Sequence, residues 1–279
     1  MYVREKVVLY LISQLEKRNV PISKTYLHKI SFILSKESII ARYVKFYNFY
    51  PYLYGPYSNQ LSLDMANLQS LALLDEKLDT TEQYKSEPYS INRNVEDIVN
   101  SVIDGLIGKD IVEYVYDKYP EYTTKSKLKA HQDNENKAGM FSIGYEKHNI
   151  DSFLDLLIQN EVEVVADLRF NPFSMNLAFT KSRLEHNLKK AGITYRHIPE
   201  LGIDGKYRKS LDTDEDYERL FEFYSSEILP KQEDKVKCIA DMSKEKRVAM
   251  LCFEHDKDHC HRGVISNELE EDAITVKHL

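Results

Sequence analysis

The stretch that decides the fold class is EVEVVADLRFNPFS, residues 161–174. Its apolar centre, Val164-Val165-Ala166, predicts a buried strand over residues 163–169, because a short continuous apolar run between polar flanks is typical of a buried strand. Two charged residues, Asp167 and Arg169, lie at the end of this strand. Charged side chains at that position are the first indication of a functional site.

Strands and helices alternate on both sides of this stretch. Further strands are predicted over residues 139–145, 194–199 and 247–253 and around Val276, and helices over residues 149–160, 182–191, 214–229 and 260–271. This alternation predicts a Rossmann-like three-layer α/β domain with a mainly parallel sheet and right-handed crossovers. Ligands of such sheets bind outside the carboxyl ends of the strands.

The first 124 residues show a different pattern, which predicts a mainly helical, winged-helix-like domain. Ser23 and Ser58 are expected to cap two of its helices, and the aromatic run FYNFYPYLYGPYS (residues 46–58) between those helices to be extended and to end in a tight turn. The polar residues 82–91 are expected to be strand-like. The other helices are predicted over residues 3–17, 94–107 and 109–118.

A polar stretch without apolar periodicity separates the two patterns. The predicted organisation is a recognition domain over residues 1–124, a linker over residues 125–138 and an α/β domain over residues 139–279. Charge follows the same division. Residues 1–139 carry 18 basic and 18 acidic residues, so the C-terminal half holds the whole net charge of −7.

The composition excludes several classes of protein. No apolar run approaches the ~18 residues that span a membrane, and the charged N-terminus does not resemble a signal peptide, so we expect a cytoplasmic protein. The three cysteines do not indicate a disulfide framework. The acidic balance argues against broad electrostatic binding to nucleic acid, although a local basic patch is compatible with it.

Ionisable side chains follow the ends of four predicted strands. They are expected to meet at one edge of the sheet, although strand ends are often polar in any protein. Cys260, His261 and Arg262 stand where the last helix begins, so the helix dipole and the neighbouring charges are expected to lower the pKa of the Cys260 thiol. The alternative is a small buried residue at the helix start. The strand-end residues are Tyr145, Glu146, Asp167, Arg169, Glu200 and Glu254.

A metal site is a further interpretation of the residues around Cys260. Cys252, His255, Cys260 and His261 could supply four ligands, but their spacing matches no standard zinc motif. Walker, G-x-G-x-x-G and G-x-S-x-G motifs are lacking in the sequence. The sequence therefore predicts neither a metal nor a cofactor.

The C-terminal half resembles the family catalogued as domain of unknown function 488. The resemblance rests on D-x-R-x-x-P-x-S from residue 167, H-x-P-E-L-G from residue 197, and C-x-E from residue 252 followed by C-H-R at 260–262. Many members have arginine after the motif serine, where this chain has Met175, which implies a different or less charged ligand. The motif positions implied by the resemblance are Gly144, Asp167, Arg169, Pro172, Ser174, Glu200, Gly202, Cys252, Glu254, Cys260, His261 and Arg262.

The N-terminal half is similar to the antitoxin-associated domain called SocA-like or Panacea. The similarity rests on Lys24-x-x-Leu27-x-Lys29, on the run from Phe49 to Ser58, and on YPEY at residues 119–122. It implies recognition of a protein partner, in a toxin–antitoxin or phage-defence setting. A packed aromatic turn, or tyrosines that stack on nucleic-acid bases, are the other interpretations of that run.

These observations predict an enzyme that acts on a nucleotide or a nucleic-acid base by hydrolytic or transfer chemistry, for example as a glycosidase-like hydrolase. Asp167, Glu200 and Glu254 are the expected acid and base groups, and Cys260 and His261 the thiol and its neighbour. The expected substrate-binding set is Gly144, Tyr145, Arg169, Ser174 and Arg262. The alternatives are a non-catalytic nucleotide or nucleic-acid sensor and an antitoxin-like adaptor whose arginine–carboxylate pairs are core salt bridges.

Overall fold

The computed structural model describes residues 1–128, 138–208 and 211–279. The chain divides into two compact units, Met1–His131 and Gln132–Leu279. Most of the predicted linker, residues 129–137, lies outside the described residues. Of its first residues, Ser126 is buried and hydrogen-bonded to Tyr116, so this part packs on the first unit.

The first unit is mainly helical. A single apolar core joins its long helices. Its helices are α1 (Val3–Lys17), α2 (Lys24–Glu37), α3 (Asn59–Ser70), α4 (Glu82–Ser86), α5 (Arg93–Leu106) and α6 (Ile111–Lys118), and its strands are β1 (Tyr50–Tyr52) and β2 (Gly55–Tyr57).

The predicted helix caps of this unit are confirmed. The hydroxyls of Ser23 and Ser58 accept hydrogen bonds from the third amides of α2 and α3, as N-cap side chains do. Between these helices, the aromatic run forms the antiparallel β1–β2 hairpin, whose turn needs the positive φ (99°) of Gly55. Buried Lys29 holds this turn by donating to the Tyr54 carbonyl, and burial lowers the pKa of Lys29 to about 8.

The expectation of a strand-like segment over residues 82–91 is wrong. Thr81 accepts a hydrogen bond from the Tyr84 amide and starts the short helix α4 at Glu82. Among residues 1–128, both named strands of this unit precede α3, and the strand pairing that follows it is a single antiparallel bridge between Leu74 and Thr80. The N-cap hydrogen bond of Thr81 thus favours a helix at the start of residues 82–91 over the strand that their polar character indicated.

The second unit alternates strands and helices, as predicted. Its boundaries agree with the apolar runs to within a few residues. The strands are β3 (Gly139–Gly144), β4 (Val164–Asp167), β5 (Thr194–His197), β6 (Arg247–Cys252) and β7 (Val276–His278), and the helices are α7 (Ile150–Gln159), α8 (Lys181–Lys190), α9 (Asp214–Phe223), α10 (Glu233–Glu245) and α11 (His261–Glu271).

Among the described residues, the five strands form one parallel sheet in the order β5-β4-β6-β3-β7. The connections through α7 and α8 run towards β5, and those through α9–α10 and α11 run the other way. Right-handed crossovers therefore place α7 and α8 on one face and α10 and α11 on the other. Residues such as Val164 and Met250 pack with α10 and α11, and the alternate residues Val165 and Ala249 are equally buried. The predicted three-layer α/β domain is confirmed.

This topology directs a ligand to the end of β6. Its neighbours β3 and β4 are followed by helices on one face, whereas β6 is followed by α11 on the other. The loops after β6 and after its two neighbours thus diverge, which opens a crevice at the carboxyl end of β6.

One helix was missed, and another was predicted too long. The α9 helix ends at Phe223 and continues as a π turn, Tyr224–Ile228, and a 3₁₀ turn, Leu229–Gln232, before α10 begins. Cys238 of α10 is exposed instead of packing in the core. None of the helices in the described ranges has the length and apolar character needed to cross a membrane.

Candidate functional site

A cleft of about 580 Å³ lies at the carboxyl edge of the sheet, where the topology predicts it. The ends of β3, β4 and β6 contribute Tyr145, Arg169 and Cys252 to its walls, and the start of α11 contributes His261. The sequence prediction that several strand ends and the last helix meet at one site is therefore supported by the position of these four residues.

Asp167 and Arg169 form a buried ion pair beneath this cleft. The Arg169 guanidinium donates from Nε to Asp167 Oδ1 (2.8 Å) and from Nη2 to Oδ2 (2.6 Å). Asp167 is fully buried and Arg169 is 6% exposed. Burial opposes the charge on Arg169, but the hydrogen bonds and charge of Asp167 outweigh it and raise the pKa of the guanidinium.

The remaining donors and acceptors of this pair are directed to the protein. Arg169 Nη1 donates to the Tyr145 hydroxyl (3.1 Å) and to the Phe179 carbonyl (2.9 Å), and the Tyr195 hydroxyl donates to Asp167 Oδ2 (2.7 Å). The Tyr145 ring stacks on Phe179 with centroids 4.3 Å apart. This network fixes the cleft wall, and it leaves Asp167 no open surface on which to meet a substrate.

Arg262 holds the loop that follows β6. Its side chain is 2% exposed and donates to Ser142 Oγ (3.0 Å) and to the carbonyls of Glu254 and His255. Its hydrogen bonds therefore fasten the 254–255 backbone to β3 and α11, a positioning task rather than the expected contact with substrate.

Gly144 allows the same loop to approach β3. A Cβ atom at this position would lie 1.7 Å from the Glu254 carbonyl oxygen. Gly202, which follows β5, has a similar role for the segment after β4, since its Cβ would lie 2.2 Å from the Phe170 amide nitrogen. Both glycines are thus explained by close backbone approach and not by contact with a ligand.

Glu146 lines the cleft, and its Oε2 accepts from the His255 backbone amide (3.0 Å). Glu254 does not line the cleft itself but pairs with two residues that do, Arg208 and Cys252. Its Oε1 accepts from Arg208 Nη1 (3.1 Å), and its Oε2 accepts from the Cys252 thiol (3.1 Å). Burial opposes ionisation of Glu254, but the charge of Arg208 and hydrogen bonds from both Cys260 and Cys252 lower its pKa to about 2. Arg208 was not predicted from the sequence. Among the described residues, no hydrogen-bond partner faces its buried Nε.

Cys252, Cys260 and His261 lie together, and two of them, Cys252 and His261, line the cleft. Their ligand atoms are all within 4.8 Å of one another, and all three residues are buried. Cys260 is the N-cap of α11, as predicted. The expected fall in its pKa is wrong, because desolvation dominates over the helix dipole and raises the pKa of this fully buried thiol.

Thiol labelling should follow exposure. We expect iodoacetamide to modify Cys238 on exposed α10 rapidly at neutral pH, while buried Cys252 and Cys260 react at least ~10-fold more slowly in the folded protein. Peptide mapping by mass spectrometry after timed quenching measures the three rates. Faster labelling of Cys260 than of Cys238 would contradict this order and restore the activated-nucleophile interpretation. Unfolded protein, in which all three should react alike, is the control.

Two other predicted residues have different positions. Ser174 lines the cleft and is nearly buried, with its hydroxyl accepting from the Asn176 amide (3.2 Å). Glu200 lies in the 3₁₀ turn Pro199–Leu201 and is exposed. Asp234 raises the pKa of Lys235 on α10, and the charge of Glu200 adds a smaller effect in the same direction. Glu200 does not figure among the described residues that line the cleft, because the chain turns aside directly after β5.

An apolar rim on the cleft was missed by sequence analysis. Phe173 is 65% exposed and Met175 88% exposed, and Phe170 and Phe253 are each almost half exposed. Large apolar side chains that remain exposed around a cavity are typical of ligand or partner contacts. The NPFSM segment could have given this signal, since it places apolar residues in a loop that follows a strand end.

The comparisons with known proteins agree with the second unit. Residues 149–269 match the family model described as Domain of unknown function DUF488. This confirms the resemblance of the C-terminal half. No curated protein and no solved structure matches the chain. The match falls entirely within the second unit, so the SocA-like resemblance of the first unit is not confirmed.

Proposed function

We propose that the cleft of the second unit, whose residues 149–269 match the DUF488 family model, binds a nucleotide or a base within nucleic acid and performs hydrolytic or transfer chemistry on it. The observation that carries this proposal is one cleft that is lined by exposed aromatic rings and by Arg208, whose guanidinium pairs with the partly buried Glu254. Both lie at the edge of the sheet where ligands of such folds bind.

The rim suits a flat, partly apolar ligand. Phe170, Phe173 and Phe253 offer exposed rings on which a base can stack, and stacking tolerates any base because each has a π face. Asn171 and Asn176, which also line the cleft, bring amide groups to the edge of such a ring. An aromatic wall with amides is the combination that recognises splayed-out bases.

Arg208 suits the charged part of the same ligand. One of its donors, Nη1, is engaged by Glu254, while buried Nε has no acceptor among the described residues. A buried guanidinium N–H without a partner is costly, and a phosphate oxygen would satisfy it. Met175, in place of the arginine frequent in the family, leaves Arg208 as the cationic side chain on which this proposal relies.

Glu254 is the residue to which we assign the chemistry. Its carboxylate contacts Cys252 and Arg208, which both line the cleft, whereas Asp167 is enclosed and Glu200 lies elsewhere. A carboxylate in this position can orient a water molecule or stabilise positive charge that develops on a sugar during glycosidic cleavage. Asp167, Arg169 and Arg262 act as positioning residues.

The first unit then supplies recognition of a protein partner. Its β1–β2 hairpin exposes Tyr54 at the turn, and a groove of about 280 Å³ runs beside it. Phage defence or a toxin–antitoxin pair is the setting that the sequence resemblance implies for such a domain.

A binding assay tests the cleft directly. We expect isothermal titration across nucleosides, nucleotides and single-stranded DNA to find a ligand, and Phe173→Ala to weaken its binding about 5- to 150-fold, the loss of one stacked base. Leu63→Ala is the matched control, because Leu63 is equally exposed (64%) but belongs to α3 of the other unit. Equal affinities of wild type and Phe173→Ala would remove the aromatic rim from the proposal.

Turnover separates the enzyme from the sensor. If the ligand is cleaved, Glu254→Gln should abolish product formation in chromatographic assays while the ligand still binds. A ligand that binds with unchanged chemistry over long incubation would instead favour the non-catalytic sensor. The observation that favours the sensor is that Asp167 and Arg169 hydrogen-bond to each other and to neighbouring groups of the protein. Neither side chain is therefore left for catalysis.

A further inference from the structure

We propose that Cys252, Cys260 and His261 form a binding site for a soft divalent metal ion of the zinc class, with its fourth coordination position on the side of the cleft. This site is independent of which ligand the cleft takes. It differs from the set considered from sequence, because His255 lies beside His148, with ring centroids 6.5 Å apart, and is not part of the cluster.

The separations of the ligand atoms fit one metal ion. His261 Nδ1 lies 3.8 Å from Cys252 Sγ and 3.9 Å from Cys260 Sγ. Tetrahedral zinc with Zn–S of about 2.3 Å and Zn–N of about 2.0 Å requires N···S separations of about 3.5 Å. Closing this difference needs movements of only a few tenths of an ångström. Two thiolates and one imidazole are also the donor set that selects zinc over calcium or magnesium.

The imidazole is oriented for metal ligation. His261 Nε2 lies 3.4 Å from the Leu168 carbonyl oxygen, which can only accept, so the proton belongs on Nε2 and the Nδ1 lone pair faces the two sulfurs. A metal-bound histidine usually donates its other ring N–H to a carboxylate, a backbone carbonyl or a water molecule, and the Leu168 carbonyl can fill this role. Without an ion, this buried lone pair has only long, weak contacts to sulfur.

Rigid elements carry all three ligands. Cys252 ends the central strand β6, Cys260 caps α11 and His261 is its first residue. Arg262, directly after the cluster, fixes the loop between the two cysteines through the carbonyls of Glu254 and His255.

The fourth position meets the cleft. Cys252 and His261 line the cleft, and Glu254 Oε2 is 3.1 Å from Cys252 Sγ. Glu254 is nevertheless not one of the residues whose ligand atoms all lie within 4.8 Å of one another. Three protein ligands with an open fourth position, beside a carboxylate, are typical of zinc sites at which water or substrate binds.

Cobalt titration of the full-length protein tests the site. Protein stripped of metal by a chelator under reducing conditions should take up one equivalent of Co²⁺ and develop the intense near-ultraviolet band of thiolate-to-cobalt charge transfer, which Zn²⁺ should then abolish. Cys260→Ser removes a proposed ligand. We expect it to weaken Co²⁺ binding by more than the roughly 10–100-fold that follows loss of a group that only hydrogen-bonds to a ligand.

Cys238→Ser is the matched control, because this cysteine is exposed on α10, outside the cluster, and its loss should leave the titration unchanged. Reduced wild-type protein that gives no charge-transfer band would overturn the proposal without any variant. So would a band that survives in Cys260→Ser and disappears in Cys238→Ser.

Discussion

Replacing Gly144 by alanine is expected to destabilise the second unit by about 3 kcal/mol or more, beyond the usual cost of an overpacked site. The added Cβ would lie 1.7 Å from the Glu254 carbonyl oxygen and 3.0 Å from His255 Cα, so the backbone must separate. The same displacement would break the hydrogen bonds of Arg262 to this loop. Circular dichroism melts, together with hydrogen exchange at the β3 and β6 amides, measure the loss.

Gly139→Ala is the matched control on the same strand. Its Cβ would meet only Phe141 Cε2 at 3.7 Å, an ordinary contact, so its stability should stay within about 1 kcal/mol of wild type. If Gly144→Ala melts like Gly139→Ala, the close approach of the loop to β3 does not exist in solution. The position of the loop at Glu254 and His255, and of the cleft residues beside it, would then be wrong.

The architecture of the second unit was predictable because local patterns specify it. Apolar runs mark β4 and β6, and the Asn149 cap marks the start of α7. The parallel topology then follows from strand–helix alternation, and the edge of the sheet that holds the site follows from the topology. The position of Asp167, Arg169 and Glu254 near one cleft therefore lay within reach of sequence reasoning.

The roles of individual residues were less predictable, because each role depends on the side chains and backbone groups that surround the residue in the folded protein. Arg208 and Glu254 are 46 residues apart in the chain, so no local pattern pairs them. The dipole argument for Cys260 considered only its helix and omitted the burial that raises the pKa of the thiol. Arg262 was expected to bind a ligand, yet a buried arginine with three backbone and hydroxyl acceptors cannot be distinguished from a ligand clamp by sequence alone.

Asp167→Asn is expected to cost about 3–5 kcal/mol of stability, the usual effect of removing one partner from a buried ion pair. The substitution keeps the shape of the side chain but leaves the Arg169 charge uncompensated at a position only 6% exposed. The hydrogen bond that the Tyr195 hydroxyl donates to this carboxylate would also weaken. Denaturant unfolding, monitored through hydrogen exchange of the β4 amides, measures the stability of the second unit alone.

Asp241→Asn is the control for this change. Asp241 pairs with Lys244 at 2.7 Å, almost the distance of the buried pair, but both side chains are more than half exposed. Its loss should therefore cost less than about 1 kcal/mol, since solvent screens exposed pairs. If the two substitutions lowered the free energy of unfolding by similar amounts, burial of the Asp167–Arg169 pair would not increase its contribution to stability.

A double substitution distinguishes a structural pair from a catalytic one. With Asp167→Leu and Arg169→Met together, no charge is left buried, so the combined loss should be smaller than the sum of the two single losses by about 2 kcal/mol or more. A catalytic Asp167 predicts the opposite result: Asp167→Asn would retain stability and lose activity alone. Because both carboxylate oxygens of Asp167 accept hydrogen bonds from Arg169 or Tyr195, we expect the first outcome, with the chemistry left to Glu254.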